Sequence, residues 1–301
     1  MVKISVISSA YRCAQYLEEY LEYVKDIDNA HEVEVLLLHN DPTEEELQIV
    51  QSCASSIPHL KHIIIKEREG LYATWNRGIK LSQGEYCTIW NIDDIRTKDS
   101  LRKEAEILDM HPEAGMAYGN YILSRKYGET CGILVNEIDA IAVPHEAKVS
   151  HLVGCFPMWR KKIHDKIGYF DEQFKLVADY EFQVRTAYNY PIYKVNHILG
   201  YFLNGVGNEG RLSQKSNLQN QERTAVEIRY GIYYKMNLIY YKSALQKFDI
   251  NHVYSYNQNF EISNYIPQYK FISKYSTSGI AKACLRLPKN ILKYLKDRII
   301  Y

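Results

Sequence analysis

Asp93 and Asp94 stand side by side at the end of an apolar run of strand length, Cys87-Thr88-Ile89-Trp90, with Asn91 just before them. No helical periodicity carries the pair. Two readings fit this placement. One is a polar turn that caps the next helix. The other is a metal site. Carboxylates at a strand end offer the oxygen ligands that Mg²⁺ and Mn²⁺ prefer, and such a cation can bridge protein to phosphate and neutralise a departing diphosphate.

The elements that must position the pair alternate in type. Val2–Ser8 reads as a strand, and Leu17, Leu21 and Val24 then recur at helical spacing. Val33–Leu38 reads as a buried strand, and Thr43–Val50 as a helix with an acidic first turn, favourable at its positive end. His62–Lys66 is a third strand, and Leu71, Trp75 and Ile79 mark the next helix. Glu85–Trp90 is a fourth strand, and Leu101–Met110 a fourth helix. This alternation predicts an α/β fold with a Rossmann-like, mostly parallel central sheet flanked by helices. Ligands of such sheets bind beyond the carboxyl ends of the strands. That rim would gather Ser9, Ala10 and Arg12, then His39, Asn40 and Asp41, then Glu67 to Gly70 with Arg68, and finally Asn91, Asp93 and Asp94. The first strand runs into SSAYRC, with neither GxGxxG nor GxxxxGK[ST], which counts against a dinucleotide or P-loop site.

Composition narrows the class. The 301 residues suit one α/β domain with an extension, and 46% hydrophobic with 24% charged residues is ordinary for a globular chain. A net charge of +1 makes no electrostatic case for nucleic-acid binding. The 27 tyrosines against 8 phenylalanines favour half-wet surfaces such as an interface or a sugar-facing groove. Six scattered cysteines with no close pair predict a reducing compartment. With no apolar leader or 18-residue apolar span, the expectation is a cytoplasmic protein, with contact at the inner face of a membrane left open.

Three segments, in order, resemble the inverting, nucleotide-sugar-dependent glycosyltransferases of family 2, which have the GT-A fold. ISVISSAYRCAQYLEEYLEYV is similar to that family's opening strand and helix, and EGLYATWNRGIKLSQGEYCTIWNIDD to the stretch that runs into its DxD-type motif. GCFPMWRKKIHDKIGYFDEQFKLVADYEFQVR is similar to its acceptor-side segment. The resemblance covers roughly residues 3 to 205. It implies a nucleotide-sugar donor and a divalent metal, Mn²⁺ or Mg²⁺, coordinated by Asp94. Asp93 would hold the donor ribose or sugar, or the metal through water. Asp179 would be the base that takes the proton of the acceptor hydroxyl in a single inverting displacement; its other reading is a first-turn helix acid. Glu181 is the weaker alternative. The acceptor would be a cell-surface glycan or its lipid-linked precursor, with a UDP-sugar weakly favoured as donor.

Residues 1–205 then form the catalytic domain, 1–95 the donor half and 96–205 a smaller mixed acceptor half, with 206–301 a lid loop and helical extension. The chain departs from the family at the nucleotide end: Ser9 and Arg12 replace the usual proline and asparagine, and His39 or Asn40 stands where an aspartate contacts the base. His39 could stack on a base or simply end a strand. Asn76, Arg77 and Lys80 share one helical side that could approach phosphates. Met158, Trp159 and Arg160 fit an acceptor-groove wall or a helix start packed on the sheet. His145 and His151 offer no metal pattern, and His197 is a conceivable late ligand. Asn204 to Ser213 is a candidate lid, or an ordinary linker. Lys282 to Tyr301 is basic with an apolar stripe, suited to docking on the catalytic domain, on a second copy, or on a membrane. Two rival readings remain, a sugar-phosphate nucleotidyltransferase and a non-catalytic binding protein derived from a transferase.

Overall fold

The computed structural model describes residues 1–139, 148, 150–204, 216–233, 235–256 and 258–264. Four parallel strands come first: β1 Ile4–Ala10, β2 Val33–Asn40, β3 Leu60–Ile65 and β4 Tyr86–Ile89. They lie side by side in the order β3-β2-β1-β4, joined by helices α1 Ala14–Lys25, α2 Glu44–Ala54 and α3 Leu71–Leu81. Then come β5 Ile95–Arg96, α4 Ser100–Met110, β6 Met116–Ser124, β7 Ile133–Val135, β8 Met158–Arg160, the short α5 His164–Ile167, α6 Ala178–Asn189 and β9 Ile192–Leu203. The sheet continues past β4 through β8, β6, β9 and β5, with β7 paired to β6 off this path, beyond β8. β8 is antiparallel to both β4 and β6, whereas β6 and β9 run parallel. Helices α7 Ser216–Arg229 and α8 Tyr241–Lys247 and the hairpin of β10 His252–Ser255 and β11 Gln258–Glu261 follow.

The period-two side-chain rule explains how the sheet is covered. All eight residues of β2 are buried, because both faces carry helices. Val33, Val35 and Leu37 enter one apolar cluster with Leu17 and Leu21 of α1 and Leu101 and Leu108 of α4. Leu36 and Leu38 point the other way, into a cluster with Tyr72, Trp75 and Ile79 of α3. Helix α3 lies close on the strands because Gly78 permits it: a Cβ there would sit 2.5 Å from Ile7 and 2.9 Å from Leu38. At the other end of the sheet Gly200 does the same for β5, since a Cβ would come within 2.2 Å of the Ile95 carbonyl oxygen.

The four predicted strands and four helices of the first 110 residues are all present. The strand expected over 115–123 is β6, Met116–Ser124, and the 131–143 stretch contributes β7, its last four residues lying outside the described set. His145, the lid stretch beyond Asn204 and the basic segment Lys282 to Tyr301 also lie outside it. Residues 216–264 share the core of the preceding part: Ala225, Val226, Ile228 and Val253 cluster with Trp159, Phe170 and Phe182. Among the described residues no helix is long and apolar enough to cross a membrane.

Candidate active site

Strand β4 ends by hydrogen bonding into β1, Trp90 N–H donating to the Ile7 carbonyl at 3.1 Å. The chain then turns tightly. Asp94 N–H donates to the Asn91 carbonyl, Asn91 Nδ2 donates to Asp94 Oδ2 at 2.9 Å, and Trp90 Nε1 donates to the Asp94 carbonyl at 3.0 Å. Asp94 is thereby buried, while Asp93 stays half-buried. The turn is polar and internally tied, but it leads into β5 and caps no helix, since Asp99 stands at the N-cap of α4; two acids remain at the strand end. Its charge reaches the acceptor half. Burial first, and Asp94 next, push the Cys155 thiol up, and Asp94 is among the lesser causes that raise the Tyr121 and Tyr127 hydroxyls. Beneath the turn a buried Arg96 binds Glu104 and Thr88 Oγ1 at 2.5 Å each.

Among the described residues no group of three or more His, Cys, Asp and Glu is placed to hold a metal ion. His197, one conceivable ligand, bonds Asp99 at 3.1 Å instead. A standing protein cage for a metal is therefore absent from the described residues. Asp93 and Asp94 do fit a hard cation that arrives with a diphosphate, because Mg²⁺-type sites commonly take one or two carboxylates and draw their other ligands from phosphates and water.

The ends of β1 and β2 carry two non-glycine residues in the left-handed region, Arg12 at φ 49° and Asp41 at φ 42°. They face each other. The Arg12 guanidinium donates to the Asp41 carbonyl and to Oδ2, each at 2.7 Å. Between this pair and Arg68 stands Tyr11, with Arg68 3.9 Å and Arg12 5.0 Å from the ring centre. Ser9 is half-buried and Ala10 fully buried in β1. The Arg12, Asp41 and Arg68 side chains thus come together around an aromatic ring, and Tyr11 is the residue that motif reading passed over.

Several expected contacts are instead structural. His39 is fully buried, its Nδ1 3.1 Å from His62 Nε2 and its Nε2 3.6 Å from Glu46 Oε2, so it cannot present a face to a base. Burial lowers its pKa against the pull of Glu46. Asn40 donates to Thr74 Oγ1 and accepts from Glu69 N–H, which ties the 67–70 turn to β2. Asn76 turns away from any phosphate, donating to the Phe170 carbonyl and to Glu172 while accepting from Phe170 N–H. Arg77 pairs with Glu69, and the Lys80 ammonium lies 3.4 Å over the Tyr256 ring.

The acceptor wall expected from Met158, Trp159 and Arg160 is not there. These residues form β8, an interior strand between β4 and β6, and all three are buried. Trp159 Nε1 donates to His164 Nε2 at 2.8 Å, and Arg160 bonds the Ala114 carbonyl and Glu85. Glu181, the alternative base, is likewise fully buried, bonded to Arg185 at 2.7 Å, to Arg229 at 3.2 Å and to the Tyr230 hydroxyl. Arg229 also binds Asp171 at 2.8 Å. That network fixes α6 against α7 and excludes Glu181 from solvent.

Asp179 is placed differently. It opens α6 with its side chain 38% exposed, enough for a substrate to reach it. Oδ1 accepts from Tyr180 N–H at 2.9 Å and from the Tyr72 hydroxyl at 3.2 Å. Oδ2 is 3.8 Å from His151 Nε2. Tyr72 belongs to the first turn of α3, which follows β3, so Asp179 sits at the carboxyl-end rim of the parallel strands that also bears Tyr11 and the Asn91–Asp94 turn. Glu222 of α7 accepts N–H bonds from Lys175 and Leu176 and so orders the approach to α6. Tyr72 was not singled out because its partner lies 107 residues away, and His151, which showed no metal pattern, meets Asp179 only through tertiary packing.

Residues 5–168 match the profile described as Glycosyl transferase family 2. A putative teichuronic acid biosynthesis glycosyltransferase, TuaG of Bacillus subtilis, is 22% identical over 152 residues, 50% of this chain and 59% of TuaG. The chain thus spans little more than half the length of that relative. Among solved structures, S. aureus TarS 1–349 in complex with UDP-GlcNAc superposes with a TM-score of 0.61 at 16% identity, covering 98% of this chain and 92% of the other. The mannosyltransferase PcManGT from Pyrobaculum calidifontis, in complex with GDP-Man and Mn²⁺, superposes with a TM-score of 0.54 at 13% identity over 96% of this chain and 75% of that one. At these identities the likeness establishes the fold, a GT-A-like mixed sheet flanked by helices. Since the matched profile covers more than half of the residues, this chain belongs to glycosyl transferase family 2.

Proposed function

We propose that the protein transfers a sugar from a nucleotide diphosphate sugar to a hydroxyl of a cell-surface glycan or lipid-linked saccharide, with inversion and with Asp179 as base. The observation that carries this reading is the half-open Asp179 at the strand-end rim, with one carboxylate oxygen engaged by two donors and the other facing His151. Tyr72 and Tyr180 N–H hold Oδ1, which leaves Oδ2 to accept the acceptor proton. In one displacement the acceptor oxygen bonds to the anomeric carbon, its proton passes to Oδ2, and the diphosphate leaves with the electron pair of the broken bond.

Asp94 and Asp93 would hold a divalent cation arriving with the donor, which would supply neutralisation of the diphosphate charge. Tyr11, Arg68 and Arg12 offer an aromatic and cationic surface for the nucleotide end. A UDP-sugar is favoured as donor, in keeping with the UDP-GlcNAc complex of TarS. The relative named for putative teichuronic acid biosynthesis, TuaG, supports a surface glycan as acceptor.

Calorimetry with UDP, GDP and dTDP, each with Mn²⁺, Mg²⁺ or chelator, tests the donor side. The expected outcome is metal-dependent binding of one nucleotide, lost in Asp94→Asn. Equal binding with and without metal would remove the cation from the proposal. NMR of a product linkage tests inversion.

A further inference from the structure

The sequence offered His151 no role, yet the fold brings it to the atom that the proposed mechanism uses. Its Nε2 lies 3.8 Å from Asp179 Oδ2, beyond hydrogen-bonding reach. That nitrogen is buried and has no hydrogen-bond partner among the described residues. A buried polar atom is normally satisfied by a hydrogen bond, so the gap calls for an occupant. An oxygen placed ~2.8 Å from each atom spans it.

We propose that His151 Nε2 and Asp179 Oδ2 form a two-point seat for a single hydroxyl oxygen of the acceptor. The inference rests on the reading of Asp179 as base and adds what recognises the nucleophile. The chemistry of the two walls selects the occupant. The carboxylate accepts only, and a neutral imidazole with its proton on Nε2 donates. An oxygen that satisfies both must donate to one and accept from the other, which a hydroxyl or a water does. A phosphate or carboxylate oxygen has no proton to give and meets the Asp179 charge. The seat therefore favours a neutral alcohol over an anionic acceptor group.

The surroundings keep the ring neutral. Burial, above all, lowers the His151 pKa, Asp179 opposes it, and the Arg223 cation lowers it further. The Tyr180 ring lies 6.0 Å away. On the neighbouring residue, Lys235 of the segment after α7 binds Ser150 Oγ at 2.6 Å. In the reaction the hydroxyl O–H bond breaks toward Asp179 Oδ2 as the new bond to the anomeric carbon forms. His151 holds one lone pair of the same oxygen, leaves the other aimed at the donor, and exchanges no proton.

Water is the probe that tests the seat without knowledge of the substrate. A crystal structure of the ligand-free protein should show an ordered oxygen within hydrogen-bonding distance of both atoms. The oxygen should be lost in His151→Phe and kept in His151→Gln, whose amide N–H replaces the donor. Direct contact of Nε2 with Oδ2, or Nε2 turned to another partner, would overturn the proposal. In solution, NMR titration of the His151 ring should move to lower pH in Asp179→Asn, because the raising partner is gone; an unchanged midpoint would also overturn it. The base reading is judged separately: sugar transfer retained in Asp179→Asn removes the base, whereas a closed or empty gap in the wild-type crystal removes only the seat.

Discussion

The two halves of the molecule bury charge in opposite ways. In the donor half the partners of a buried acid are near in sequence or on adjacent strands. Glu46 closes a capping box with Thr43 three residues before it, and Glu34 of β2 bonds Ser5 of β1 and Lys61 of β3, the strands on either side. In the acceptor half Asp171 and Glu181 meet Arg229 across 58 and 48 residues, all three with no exposed side-chain surface. Local pairing lets the donor half form element by element. Distant pairing makes the acceptor half cooperative, so one lost partner is felt in three elements.

Asp179→Asn should have the largest effect, because it strikes the acceptor half at the reacting atom. Transfer should fall by about 10²–10⁴-fold while nucleotide binding, read by calorimetry, stays within a factor of two to three. Parallel loss of both would show that the halves are not separable. Arg229→Met should come next. It leaves buried Asp171 without its cation and Glu181 with Arg185 alone, which costs about 3–5 kcal/mol in urea unfolding. Combining it with Asp171→Asn and Glu181→Gln should recover part of that loss, since the uncompensated charges are gone.

His164 provides a pH test confined to the acceptor half. Its Nε2 accepts from Trp159 Nε1–H, its Nδ1 donates to the Gly168 carbonyl, and its ring stacks on Tyr169 and Phe182. Burial, above all, brings its pKa down to about 3. Below an unfolded-state value of about 6.5 the unfolded chain therefore binds a proton that the native one refuses. Stability should fall as pH falls through that window, by at most ~1.4 kcal/mol per unit from this group. Urea melts between pH 7 and 4.5 should show a shallower decline in His164→Phe. Thr43→Ala, in the donor half, should be the mildest, about 1 kcal/mol for one helix cap, with donor binding unchanged. A loss there as large as that of Arg229→Met would erase the contrast.

The same contrast decides what could be read before the fold was known. The parallel half was legible because its information is local: apolar runs such as Val33–Leu38, helical spacing such as Leu71, Trp75 and Ile79, and a strand-end rim that follows from chain order alone. Asp93, Asp94 and Asp179 were singled out by motif. Side-chain orientation was not legible. His39 and Asn40 are strand-end residues by sequence, yet the strand carries both inward, and Asn76 lies on the side of α3 that meets the 170 turn. Met158 to Arg160 could open a helix or form a wall; three residues hold too little periodicity to reveal an interior strand. His151, Tyr72 and Tyr11 gain their meaning only from partners that tertiary packing supplies.

Arg229 has one more consequence, and it concerns time rather than energy. A chain is made from its amino end, and domains tend to settle in that order. Strands β1 to β4 and the Asp93–Asp94 turn can assemble once the first hundred residues are out. Asp171 must wait for a cation made 58 residues later, and Glu181, paired at once with Arg185, for a second one made 48 residues later. Until Arg229 leaves the ribosome, burying them costs more than it returns, so the segment that bears Asp179 stays open. The donor half is thus complete before the half that would deliver the nucleophile can close, and a chain released short of residue 229 would keep the first without the second.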